Sequence, residues 1–193
     1  MVVLRSKNES EVRRRAGDLV ARALVLVRSH VRAGVMLADL DRIVEEFVPS
    51  KGAVPTYKGY QPAPSVPRFP GAICTAVNEE IVHGIPGPRR LRDGDIVGID
   101  IGATLGGWVG DTCYTYPVGD VSPRAGNLLS VTRECLEARI SEVGPGKRFG
   151  DVGAAIQELA VSAQYEYTIA VTAGGCEILT PWHLLMPKTA ELA

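Results

Sequence analysis

Two aspartates, Asp100 and Asp111, stand in the strand-like run DIVGIDIGATLGGWVGDTCYTYPVG, on either side of a glycine-rich turn. If the chain turns through a two-residue loop at Leu105-Gly106, the two carboxylates sit directly opposite each other, with Cβ atoms about 5 Å apart. A turn at Gly106-Gly107 makes them diagonal neighbours on one face, and a three-residue loop separates them. Carboxylates that close repel unless a cation or a shared proton compensates. A divalent metal resolves the conflict and brings chemistry of its own, because it activates water and polarises a carbonyl. Gly98 and Gly102 flank Asp100 on its own face and leave room there for an ion and a substrate. The competing reading is two exposed aspartates on a polar sheet face.

Two further residues point the same way. Glu166 lies in QYEYTIAV, an apolar strand context in which a lone buried carboxylate is costly without a partner. His83, in VNEEIVHGIP, precedes a turn from which it could contact a substrate.

The elements that must position these residues are legible in the hydrophobic period. Residues 9–31 place Val12, Ala16, Leu19, Val20, Ala23, Leu24 and Val27 at helical spacing, and Gly34 ends that helix. A second helix over 38–48 buries Leu40, Ile43, Val44 and Phe47. The stretch VPTYKGYQPAPSVPRFPG follows, too rich in proline to be regular and long enough to suggest a functional loop. Strand-like runs come next at 72–78 and 80–85, and then the hairpin. Ser122 and Pro123 make an N-cap and first-turn pair for a helix to about residue 141, with Leu128, Leu129, Val131, Cys135 and Leu136 on one face. A short helix over 150–160 and the strand-like YEYTIAVTAGGCEIL, turning at Gly174-Gly175, complete the series.

This order contains an internal repeat. GVMLADL at 34–40 and GKRFGDV at 146–152 share Gly-x-x-apolar-small-Asp-apolar, each between a longer and a shorter helix, 112 positions apart. The expected fold class is therefore α+β, a single domain over 1–193 built from a duplicated α-α-β unit, with 1–121 as the first half and 122–193 as an incomplete second half. On the repeat's own count the second half is short by about forty residues. The join looks abrupt as well, since AAIQELA runs into VSAQYEYTIAV with no residue that stops a helix. A segment is expected to be missing near 160–162.

Composition narrows the class. The chain has 193 residues, 46% hydrophobic and 22% charged, enough for one real core. A net charge of −1 supplies no field to recruit nucleic acid or an anionic membrane, and the clusters at Arg13, Arg14 and Arg15 and at Arg89, Arg90 and Arg92 read as solvated surface. The longest apolar run, 19–27, is interrupted by Arg22 and closed by Arg28, so it is too short for a bilayer span. MVVLRSKNESE has no signal-peptide core, and a cytoplasmic location is expected. Cys74, Cys113, Cys135 and Cys176 are widely spaced without a C-x-x-C pair and read as reduced, mostly buried thiols.

The motifs VNEEIVHGIP (77–86), DGDIVGIDIG (93–102), GDT (110–112) and SAQYEYTI (162–169), in that order, resemble those of type I methionine aminopeptidases. The likeness runs from residue 1 to about 180. It implies the duplicated "pita-bread" fold and removal of the initiator methionine from nascent polypeptide N-termini, with the ribosome as a candidate partner. It also implies a divalent metal cofactor of the Co, Mn, Fe, Zn or Ni class, one or two ions per chain. By the resemblance Asp100 is a bidentate ligand, and Asp111 and Glu166 are bridging ligands. His83 contacts substrate and stabilises the transition state, and Tyr57, Tyr60 and Cys74 line the methionine pocket. The loop from Gln61 to Arg68 is longer than usual. Five ligands are needed for the family's dinuclear site, and the block that carries a GHGIG histidine ligand, a substrate-contacting histidine and an EP glutamate ligand is absent. Beyond His83 the chain has only His30 and His183, and His183 lies past the last matching strand. The expectation is an incomplete site with weak or lost activity, or a non-catalytic peptide- or ribosome-binding protein of the same fold.

Overall fold

A computed structural model of the protein describes residues 4–140, 142–148, 150 and 163–186. Helix α1 (Lys7–Arg28) starts where Ser6 and Glu9 form a capping box, the Glu9 amide donating to Ser6 Oγ and the Ser6 amide to Glu9 Oε2. It buries Ala16, Leu19, Val20, Ala23, Leu24 and Val27, the stripe predicted from spacing except for Val12, which is half-buried. Helix α2 (Leu37–Ser50) buries Leu37, Leu40, Val44 and Val48. Ile43 and Phe47 pack only partly against that core, because the stripe is narrower than the sequence suggests.

Four antiparallel strands lie under these helices. Strand β3 (Ile96–Leu105) is central, with β4 (Trp108–Pro117) along one edge. On the other edge, β2 (Ile73–Val77) and the two-residue β1 (Val54–Pro55) lie end to end. The odd residues Val97, Ile99, Ile101 and Ala103 are fully buried in the core with the helices, so the even residues Gly98, Asp100 and Gly102 must face the other way. Fully burying a side chain such as Ile99 or Leu24 is worth about 1.5–3 kcal/mol. The orientation of Asp100 is therefore enforced by its neighbours rather than by its own contacts.

The β3–β4 turn is Gly106-Gly107, with Leu105 paired to Trp108. Their φ values of 57° and 81° are the left-handed pair that a two-residue hairpin loop requires, and Leu105 in the first turn position would be strained. Asp100 consequently pairs with Cys113, and Asp111 with Gly102. The two aspartates are diagonal neighbours on one face, not directly opposite.

Other expectations are corrected. Residues 80–85 are not a strand: Asn78 and His83 adopt positive φ, and Gly84 lies so close to β2 that a Cβ would sit 2.1 Å from Thr75 O. Strand β5 begins at Ile169 (Ile169–Thr172) and pairs with β6 (Gly175–Ile178), turning at Ala173-Gly174 rather than Gly174-Gly175. Helix α3 (Pro123–Ile140) starts as predicted, the Ala125 amide donating to Ser122 Oγ. Of its expected face only Leu129 is buried, with Leu128 and Leu136 packed at the margin of the core. A one-turn helix α4 (Trp182–Leu185) closes the described chain. The helix expected over 150–160 and most of the second repeat motif lie outside the described residues. Cys74 and Cys113 are buried, whereas Cys135 and Cys176 are only partly so, and all four are free thiols. No helix among the described residues is long and apolar enough to cross a membrane.

Candidate metal and substrate site

One cavity of about 590 Å³ opens on the even-numbered face of β3. Asp100, Asp111, Glu166, His83, Tyr57, Tyr60 and Cys74, every residue singled out in the sequence, line it. Asp100 is only 8% exposed, which rules out the reading of two aspartates on a solvated sheet face. Cys74 reaches the same wall because β2 pairs it with Asp100. His83 stands on the exposed rim. His30 instead contacts Leu26 O at the end of α1, and His183 packs against Tyr167 and Trp182.

The space beside Gly102 is filled, contrary to expectation. The Tyr57 ring lies against this glycine so closely that a Cβ there would be 2.9 Å from two ring carbons. From that position the Tyr57 hydroxyl lies 2.6 Å from Asp100 Oδ1 and 2.5 Å from Asp111 Oδ1. The two carboxylates thus converge on a single point.

Glu166 is positioned by its main chain. It lies before β5, not in it, in a stretch that runs along the outer edge of β4: its amide donates to Cys113 O, and Thr168 Oγ1 donates to Asp111 O. The Glu166 carbonyl accepts from Thr112 Oγ1 at 2.7 Å and from Trp182 Nε1 at 3.1 Å. Its carboxylate accepts from Gln164 Nε2 at 2.7 Å. Gln164, which also lines the cavity, was missed in the sequence. The available signal was spacing, since positions two apart on an extended segment share a face.

Among the described residues no three His, Cys, Asp or Glu side chains come together as a metal-ligating cluster. Glu166 shares one carboxylate oxygen, Oε1, with Gln164, while its charge still acts on Asp100. Hard oxygen donors converging on one point nevertheless suit one divalent cation. The described lining offers three carboxylates, those of Asp100, Asp111 and Glu166, and His83 as its histidine.

The electrostatics fit this geometry. Burial, reinforced by the charges of Asp111 and Glu166 against the opposing hydrogen bond from Tyr57, pushes Asp100 up to about 7. Burial and the same aspartates hold the Tyr57 phenol protonated and push the Cys74 thiol up to about 12, so both stay neutral. Because Asp100 binds its proton more tightly folded than unfolded, its stabilising contribution is complete below 3.8 and is lost as pH rises to about 7. Asp41, also raised by burial, has the same sign. With a chelator present, Asp100→Asn is therefore expected to gain stability relative to the native protein as urea melts move from pH 4 to pH 8. Parallel profiles would contradict this.

The model of metallopeptidase family M24 matches residues 11–180. The chain belongs to metallopeptidase family M24. It is 42% identical over 165 residues to methionine aminopeptidase 1 of Bacillus subtilis, covering 86% of this chain and 64% of that protein. Methionine aminopeptidase B of Synechocystis is 42% identical over 165 residues, covering 85% and 60%. Among solved structures, methionine aminopeptidase from Rickettsia prowazekii superposes with a TM-score of 0.87 at 27% identity, covering 93% of this chain and 100% of that one. The fold is thus the pita-bread fold of the M24 methionine aminopeptidases, in a chain that spans less than two thirds of the length of these curated relatives.

Proposed function

We propose that the protein is a methionine-aminopeptidase-type metalloprotein that admits a polypeptide's N-terminal methionine to this cavity and hydrolyses it weakly or not at all. The observation that carries the reading is the convergence of all the predicted residues on one cavity, with Tyr57, Tyr60 and Cys74 on the wall adjoining the carboxylates. Aromatic rings and a neutral thiol suit a thioether side chain.

Asp100 and Asp111 would hold one divalent cation of the Co, Mn, Fe, Zn or Ni class, with Glu166 turning from Gln164 to join them. Such a cation, when bound, supplies an activated water and a polarised carbonyl. Asp100 must release its proton to serve as a ligand, which makes uptake weaker below about pH 7. His83, on the rim, can donate to the substrate main chain and to charge that develops on its carbonyl. The weakness follows from what the sequence lacks, the glutamate expected to shuttle protons and the histidine ligand.

Two coverages support a segment absent from the interior: the sequence match spans 64% of the Bacillus protein, while the structural match extends over 100% of the Rickettsia chain. In this reading residues 122–193 are the incomplete half of the duplicated domain.

The test is turnover of a Met-Ala-Ser peptide with Co²⁺, Mn²⁺ or Fe²⁺ added. Loss of a general acid–base group predicts a rate at least about 10²–10⁴-fold below that of a full-length relative assayed alongside. A comparable rate would overturn the loss of activity. A cavity whose described lining could still receive a peptide end leaves a second reading, a non-catalytic peptide- or ribosome-binding protein of the same fold. Cosedimentation with ribosomes and no hydrolysis is its expected signature.

A further inference from the structure

Tyr57 is more than a wall of the cavity. Its hydroxyl lies 2.6 and 2.5 Å from one oxygen of each aspartate, the point from which a cation would have to reach both. Its backbone is anchored beside the site, since the neighbouring Thr56 amide donates to Gly102 O and Thr56 Oγ1 meets Thr104 Oγ1 at 3.0 Å. Only a residue without a Cβ at position 102 lets the ring lie there, and Phe69 supports it edge-on with ring centroids 6.5 Å apart.

We propose that Tyr57 is a latch that competes with the metal: its hydroxyl, in contact with one oxygen of Asp100 and one of Asp111, must swing into the cavity before a cation binds them. The inference rests on the reading that these aspartates hold a cation. The adjoining cavity gives the ring somewhere to go. Because the ring lines that cavity, metal uptake reshapes the substrate pocket. Entry of the ion and the shape of the pocket are then one event rather than two.

The test uses Mn²⁺ alone, in calorimetric titration and in near-UV circular dichroism of the tyrosines. Tyr57→Phe keeps the ring and removes the hydroxyl, and is expected to bind Mn²⁺ about tenfold more tightly than the native protein, the scale of one charge-assisted hydrogen bond removed from the competition. Native protein should show a tyrosine dichroism change that saturates with the metal and that Tyr57→Phe lacks. Equal or weaker binding by Tyr57→Phe, with the native protein still binding, would overturn the latch and leave the metal site standing. If neither protein binds Mn²⁺, the latch and the metal reading fall together. Should Tyr57→Phe fail to fold, Gly102→Ala, whose methyl group collides with the ring, is titrated instead, with tighter binding expected and unchanged or weaker binding overturning the latch.

Discussion

Asp111→Ala is expected to abolish Mn²⁺ binding, and Asp100→Ala to do the same, while Glu166→Gln weakens it by about 10–100-fold. The ordering follows from the geometry. Asp100 and Asp111 converge on one point, so removing either leaves a single carboxylate already satisfied by the Tyr57 hydroxyl. Glu166 already shares one carboxylate oxygen with Gln164 and does not form a three-ligand cluster with the aspartates among the described residues. Calorimetric titration measures all three variants. An unchanged isotherm for Asp111→Ala would remove the hairpin from any metal site, whereas equal losses for all three would mean that Glu166 is as central as the aspartates.

What could be read from the sequence divides along physical lines. Helices α1 and α2 were legible because their apolar period is set by burial against the sheet, a strong constraint on residue type. The face that Asp100 occupies was legible for the same reason, since its odd-numbered neighbours are all apolar. The register was not decided, because three turns fit the glycine-rich stretch; positive φ at both Gly106 and Gly107 chose among them. The run at 80–85 misled because apolar Ile81, Val82 and Ile85 look like strand residues, yet all three are exposed, and of them Ile85 lines the cavity. Glycine at 102 was read as open space, whereas it is the notch that receives the Tyr57 ring. Contacts between distant segments, such as Tyr57 with the aspartates or Trp182 with Glu166, leave no periodic trace in a single sequence.

Trp182→Ala carries the largest expected cost in stability. The ring is 2% exposed, stacks on Tyr167 at 4.6 Å and meets Tyr114 edge-on at 4.8 Å. Truncating a buried aromatic of this kind costs about 3–5 kcal/mol, a large share of a small domain's stability. It also removes one of the two side-chain donors that hold the Glu166 carbonyl, leaving Thr112 Oγ1. The stability loss should therefore come with weaker Mn²⁺ binding, of the size expected for Glu166→Gln, although Trp182 does not line the cavity. Trp182→Phe weights the two effects differently: it keeps an aromatic ring in the cluster but loses the indole N–H, at about 1 kcal/mol, together with part of the bicyclic ring and its packing. Urea melts and Mn²⁺ titrations on both variants measure the coupling. If Trp182→Ala melts like the native protein, the segment over 163–186 lies outside the cooperative fold, and Glu166 cannot then be a fixed part of the site. If it melts early yet binds Mn²⁺ unchanged, the segment supports the core while Asp100 and Asp111 suffice as protein ligands.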